Sequence, residues 1–328
     1  MAKLTIIGTG LIGTSLALAV RQANIKGLEL VGTDAARNAR GGAMKTKAFD
    51  RIDNQLASSV RDANIVVLAT PVMAMKEVMQ AIAGDLEEGA VVTDVGSSKK
   101  VVLEWAGEYL PRGVDFVGGH PMAGKETSGP ENADAALFQD KVYCVIPAPG
   151  VSQKSVSEIT ALVDAVGAKP FFLSVDEHDS FVAAVSHLPF LLSVALIGCT
   201  SKSVNWADIA PLASSGFDGI TRLASGDPVM HRDICLSNPE PIVAWIDAFI
   251  RELHGVRLLL GGESPPDGGV VEDLFQKAYV ARELWKNGDV QPGGTQAQIE
   301  IPSMTESMFG TIGRKLLTGG QEKDGKTR

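Results

Sequence analysis

Cysteine is scarce in this 328-residue chain, with three residues at Cys144, Cys199 and Cys235. They are far apart, odd in number and free of any CxxC or Cys/His metal spacing. That pattern supports neither a disulfide framework nor a zinc site, and the three read as reduced, buried small hydrophobes. Aromatic residues are sparse at 5%, so the core must be built mainly from aliphatic side chains. Positive charge is also short: the formal net charge is -9. No basic field is available for nucleic-acid phosphates, and no nucleic-acid partner is expected. Long uninterrupted apolar runs are lacking too. The N-terminal run resembles a short signal peptide, but its glycines fall at a nucleotide-binding spacing and no cleavage site stands apart from them. The stretch from Phe181 to Cys199 is broken by Ser186, His187, Pro189 and Ser193, and it reads as a buried helix rather than a membrane span. A cytoplasmic location with no membrane partner is the expectation.

What is present is alternation. Short β-rich runs at Leu4–Gly8, Leu28–Thr33, Ile65–Thr70, Val91–Val95, Phe116–Gly118, Val142–Pro147 and Lys169–Leu173 are separated mostly by helical stretches. Such alternation predicts a mainly parallel sheet covered by helices, with room for antiparallel strands near its end. After Asp176 the strand signals stop and long Ala/Leu/Val/Ile-rich helices follow. The predicted organisation is an α/β Rossmann-type dinucleotide-binding domain over 1–175 and an all-helical dimerisation domain over 176–288. A polar tail of disorder-prone composition covers 289–328. Apolar residues on so many helix faces suggest burial against a second subunit, giving a homodimer.

The first strand runs into Gly8-Thr9-Gly10-Leu11-Ile12-Gly13. In a GxGxxG turn the first glycine permits the turn, the second admits a pyrophosphate and the third allows helix–strand packing. The helix N-terminus behind it offers free N–H groups to the phosphates. Asp34 closes the next strand, where a carboxylate accepts the adenosine ribose hydroxyls and repels a 2′-phosphate. NAD is therefore the expected cofactor, although Arg37 and Arg40 lie near. A glycine-rich turn with Asp34 as a helix cap is the plain alternative. Thr70 and Pro71 fall at the sheet's carboxyl edge, either contacting cofactor or simply turning into a helix.

Three further segments lack a simple structural excuse: Gly118 to Gly124 around His120, Ser186-His187-Leu188-Pro189, and Gly216 to Arg222. Oxidising an alcohol requires a base for the hydroxyl proton, which imidazole suits. An acidic substrate requires a fixed cation, which arginine supplies. Taken in order, GTGLIG, DVGSSK, GGHPMAGKETSG, SHLPF and GFDGITRLASGDPVMHRDI resemble the prephenate/arogenate dehydrogenase family over roughly Lys3 to Trp285. The resemblance implies NAD-dependent oxidative decarboxylation of prephenate to 4-hydroxyphenylpyruvate in tyrosine biosynthesis, or of arogenate to tyrosine. It implies His120 as the proton acceptor, Ser97 as its orienting partner and Arg222 as the carboxylate grip. His187 would line the site and Glu126 would guard its mouth; His178, His231 and His254 receive no role.

Phe190 stands where several prephenate-specific relatives carry a second histidine, His231 where an aromatic is frequent, and Lys125 where a small hydroxyl residue is frequent. Substrate preference stays open on these departures. So do the plain readings: Ser97 as a helix cap, His187 as a core histidine, Arg222 as a surface partner of Asp218 or Asp227, and Glu126 as a loop acid. A β-hydroxyacid dehydrogenase would need a lysine motif in the second domain that is not seen. A cofactor-binding sensor without catalysis would have no reason to keep His120, Ser97 and Arg222. No metal is expected.

Overall fold

The computed structural model describes residues 2–125, 127–262 and 265–290, and the expected tail falls outside them apart from its first two residues. By spatial compactness the chain divides into 1–248 and 249–328, each taken alone below.

The first unit is built on eight strands: β1 (Ala2–Ile7), β2 (Leu28–Thr33), β3 (Arg51–Asp53), β4 (Ile65–Leu68), β5 (Val91–Asp94), β6 (Asp115–Pro121), β7 (Val142–Pro147) and β8 (Lys169–Phe172). Their spatial order is β3-β2-β1-β4-β5-β6-β7-β8. All neighbours run parallel except β6 and β7, which pair antiparallel with His120 opposite Cys144. The interleaved helices are α1 (Leu11–Gln22), α2 (Arg37–Thr46), α3 (Leu56–Val60), α4 (Met75–Ile82), α5 (Lys100–Tyr109) and α6 (Gln153–Ala165). The alternation expected from sequence is there, with two differences. β3 had no predicted counterpart, and β6 extends to Pro121, so His120 lies inside a strand instead of just after one.

Strand side chains alternate between faces, which gives the sheet two cores. Ile6 and Val67 pack with Leu16, Val20, Phe138 and Ile159 on one face. Their neighbours Ile7, Val66 and Leu68 pack with Met75, Met79, Ile82 and Val102 on the other. Being covered on both sides explains why β4 reads Ile-Val-Val-Leu without a polar interruption.

The rest is helical, as expected. α7 (Val175–Val182) continues through a π-helical turn at Ala183–His187 into α8 (Leu188–Thr200). Then come α9 (Trp206–Ile209), α10 (Ser215–Thr221), a 3-10 turn at Arg222–Ser225, α11 (Pro228–Ser237), α12 (Pro239–Leu260) and α13 (Gly268–Lys286). Val175–Thr200 has the length and mean hydropathy, 2.0, of a membrane-crossing helix. It nevertheless carries the buried polar residues His178, Asp179 and His187, all hydrogen-bonded. Burial of this helix is one-sided: Leu188, Phe190 and Ser193 are covered, whereas Phe181, Val185 and Val194 are exposed. A small cluster of Ala183, Phe190, Ile234 and Ile242 joins α8, α11 and α12. In the second unit no residue of α13 is buried, and Phe275, Tyr279 and Trp285 are exposed.

Candidate active site

Because β1, β4, β5 and β6 are parallel, their carboxyl ends line up on one edge. That edge holds Gly8, Thr70, Ser97 and His120, and ligands of open α/β sheets bind at such an edge. At Gly8 the φ of +101° suits glycine, and a Cβ there would meet the Ala69 carbonyl oxygen at 2.4 Å. A Cβ on Gly13 would strike the Gly8 carbonyl oxygen at 2.0 Å, which enforces the close approach of Leu11, Ile12 and the rest of α1 to the turn. Gly10 differs: its backbone is extended and a Cβ would meet nothing within 4 Å. No side chain caps α1 behind it, and no acid sits in its first turn. An anionic pyrophosphate fits that open, uncapped helix end. The Thr70 hydroxyl, buried at the same edge, has no hydrogen-bond partner among the described residues.

Asp34 sits beside the glycine turn, accepting from Thr9 N at 2.7 Å on Oδ2 and from Ala36 N at 2.8 Å on Oδ1. It does not cap α2, whose cap position is Ala36. Oδ2 also accepts from the Thr9 hydroxyl at 3.4 Å, and Oδ1 keeps a lone pair free for a ribose hydroxyl. Arg40 turns inward to donate to the Asp34 and Ala35 carbonyls.

At the other end, Asp94 closes β5 and accepts from Gly96 N (2.8 Å) and Gly119 N (3.1 Å). It also forms an ion pair with Lys99, both side chains being fully buried. This pair pins the carboxyl end of β6 and therefore His120. His120 is 8% exposed, and burial pushes its pKa well below the usual histidine value, helped by His178 and Lys99. It is a neutral imidazole at neutral pH. His120 Nδ1 lies 2.9 Å from His178 Nε2. Ser97 precedes α5 but does not cap it. That helix starts instead on the Asp179 carboxylate, which accepts from Lys99 N at 2.8 Å and Lys100 N at 2.9 Å.

The π-helical turn places His187 inward. Burial pulls its pKa down to about 4, against the opposing charge of Asp179. Its Nδ1 is 3.3 Å from Asn238 Nδ2, while Nε2 is buried without a hydrogen-bond partner among the described residues. The Ser97 backbone also opposes the fall in the His187 pKa, which places His187 against the Ser97 segment at the end of β5. Arg222 opens the 3-10 turn that packs on α8, where Ser193 Oγ donates to Ile220 O (2.7 Å) and accepts from Ala224 N (3.2 Å). Phe190 stacks on His231 with ring centroids 4.2 Å apart. Glu126 lies outside the described residues.

The sequence reading placed the segment from Asp94 to Lys99 at this edge without giving either residue a task, assigned His178 no role, and missed Asp179 and Asn238. A lysine and two acids in otherwise apolar strand and helix ends were the available signal, since such groups stay buried only when paired.

Residues 16–171 match the family profile described as the prephenate dehydrogenase nucleotide-binding domain, and residues 174–267 match the prephenate dehydrogenase dimerization domain. The prephenate dehydrogenase of Bacillus subtilis is 33% identical over 278 residues, 84% of this chain and 73% of the relative. A crystal structure of prephenate dehydrogenase from A. aeolicus with hydroxyphenyl propionate and NAD+ superposes with a TM-score of 0.79 at 28% identity, covering 87% of this chain and 98% of that one. Synechocystis arogenate dehydrogenase superposes with a TM-score of 0.74 at 26% identity, covering 86% and 99%.

Proposed function

This chain belongs to the prephenate dehydrogenase family, and from that premise we propose that it converts prephenate to 4-hydroxyphenylpyruvate by NAD-dependent oxidative decarboxylation. The observation that carries this reading is a buried, neutral His120 on the sheet edge that also bears the open Gly10 turn. Bound NAD supplies the hydride acceptor. Gly8, Gly10, Leu11, Ile12 and Gly13 would hold its pyrophosphate, Asp34 its adenosine ribose, and Thr70 and Pro71 its inner end. NAD is preferred over NADP because Asp34 repels a 2′-phosphate and Arg40 is turned onto backbone carbonyls.

His120 takes the proton of the ring hydroxyl as the carbonyl forms, and the ring carboxylate departs as carbon dioxide with aromatisation. Ser97 orients the hydroxyl beside it, Arg222 grips a carboxylate, and His187 lines the wall. The protein's task is orientation and one proton transfer. Arogenate is the second reading. Its support is the departure at Phe190, which stands where several prephenate-specific relatives carry a second histidine and whose ring is stacked on His231.

The enzyme is read as a cytoplasmic homodimer with its cofactor domain over 1–175 and its substrate and dimerisation domain over 176–288. The exposed Phe275, Tyr279 and Trp285 of α13 support the dimer. Initial rates of NADH formation with prephenate and with arogenate, for wild type and His120→Asn, test the reading. A rate with one substrate that falls at least about a hundredfold in the variant is expected. No turnover of either substrate by a protein that binds NAD would overturn it.

A further inference from the structure

Behind His120 lies a line of side chains that the proposed chemistry leaves idle. His120 Nδ1 is 2.9 Å from His178 Nε2, the rings meeting edge to face at 68°, and His178 Nδ1 is 2.8 Å from Asp179 Oδ1. His178 is completely buried and Asp179 nearly so. Asp179 is held from three sides, by Lys99 N on Oδ1, Lys100 N on Oδ2 and Asn238 Nδ2 on its backbone oxygen.

The hydrogen positions along this line follow from donor and acceptor counting. Burial would raise the Asp179 carboxyl pKa, but His178 and the Lys100 and Lys99 amides outweigh it and hold it below the usual range. Asp179 is therefore ionised and can only accept. His178 Nδ1 must then carry hydrogen. Burial lowers the pKa of both histidines, so each ring is neutral and carries one N–H. With its hydrogen on Nδ1, His178 presents a bare Nε2 to His120. His120 Nδ1 has to be the donor across the 2.9 Å contact, and its lone pair is left on Nε2.

We propose that His178 and Asp179 are positioning residues that lock His120 as the Nδ1–H tautomer, so that Nε2 is the atom that accepts the substrate hydroxyl proton. The inference rests on the reading of His120 as the base. When the hydroxyl O–H bond breaks and an N–H bond forms at Nε2, the Nδ1–H stays in place. The resulting imidazolium then faces the His178 lone pair, with the Asp179 carboxylate behind it. A neighbour that fixes the tautomer of a base in this way acts without touching substrate.

Nitrogen-15 NMR of histidine-labelled full-length protein, without added NAD, reads the tautomer directly. The chain has five histidines, and the His120→Asn spectrum assigns the His120 signals. The expected wild-type spectrum has a protonated Nδ1 and a bare Nε2. His178→Leu should show mixed tautomers, bind NAD as wild type does and lose about a hundredfold in kcat. His178→Gln, whose carbonyl can accept from His120 while its amide donates to Asp179, should restore the single tautomer and most of kcat.

A wild-type His120 protonated on Nε2 would overturn the proposal. So would a His178→Leu protein that keeps both tautomer and rate, or a Gln variant as slow as the Leu variant. The wild-type spectrum decides the tautomer even if His178→Leu fails to fold. Because the spectrum needs no turnover, an inactive enzyme with the expected tautomer would count against the functional reading alone.

Discussion

Three buried imidazoles, His120, His178 and His187, are held in their neutral forms, and that state has a thermodynamic signature. For His187 the folded pKa is about 4, against 6.5 in the unfolded chain. Between those values the unfolded chain takes up a proton that the folded chain refuses, so stability falls as pH drops. The contribution is complete above pH 6.5 and is lost on the way down to about pH 4. At about 1.4 kcal/mol per pH unit, the loss for this one group is about 3 kcal/mol. Denaturant titrations at steps from pH 7.5 to pH 5 should show the decline, and His187→Gln should make it shallower while His120 and His178 still contribute. An equal slope in the variant would mean that other groups govern acid stability. The same logic makes the base form of His120 available well into mildly acidic solution, because burial, His178 and Lys99 all disfavour its cation.

At the scale of elements, the β1–α1 turn separates two uses of glycine. Gly8→Ala forces a left-handed backbone and a contact of 2.4 Å with the Ala69 carbonyl, so unfolding experiments should report about 2–3 kcal/mol lost. Gly10→Ala places a methyl in open space on an extended backbone and should leave stability unchanged or slightly raised. Its NAD affinity should nevertheless fall at least about tenfold, equivalent to about 1.4 kcal/mol. Retained affinity in a folded Gly10→Ala protein would contradict the pyrophosphate assignment. This turn was legible in the sequence because backbone demands appear locally as glycine. β4 was legible because burial on both faces writes a continuous apolar run. The three-residue β3 carries too short a pattern to register, and Gly118-Gly119 made β6 look finished before His120. The His120–His178–Asp179 line was illegible for a different reason. Its two histidines are 58 positions apart, one on β6 and the other on α7, and the packing of those two elements brings them together.

For the whole molecule, the apolar surface of α13 is the feature without a counterpart in a lone chain. Phe275, Tyr279 and Trp285 are each more than 60% exposed. Exposed aromatic clusters of this kind mark association surfaces. Sedimentation equilibrium should give twice the 34.5 kDa chain mass, and Phe275→Asp with Trp285→Asp should shift the protein toward that single mass. A wild-type monomer at micromolar concentration would remove the dimer from the proposal. Asp179 carries a different kind of consequence. Its carboxylate starts α5 and anchors His178, and its backbone oxygen accepts from Asn238. In genetic terms such a position is pleiotropic: a mutation there alters heat tolerance and reactivity in the same stroke. Lineages adapting to hotter or colder habitats are thereby steered to change other sites, and a laboratory selection for thermostability should leave codon 179 untouched.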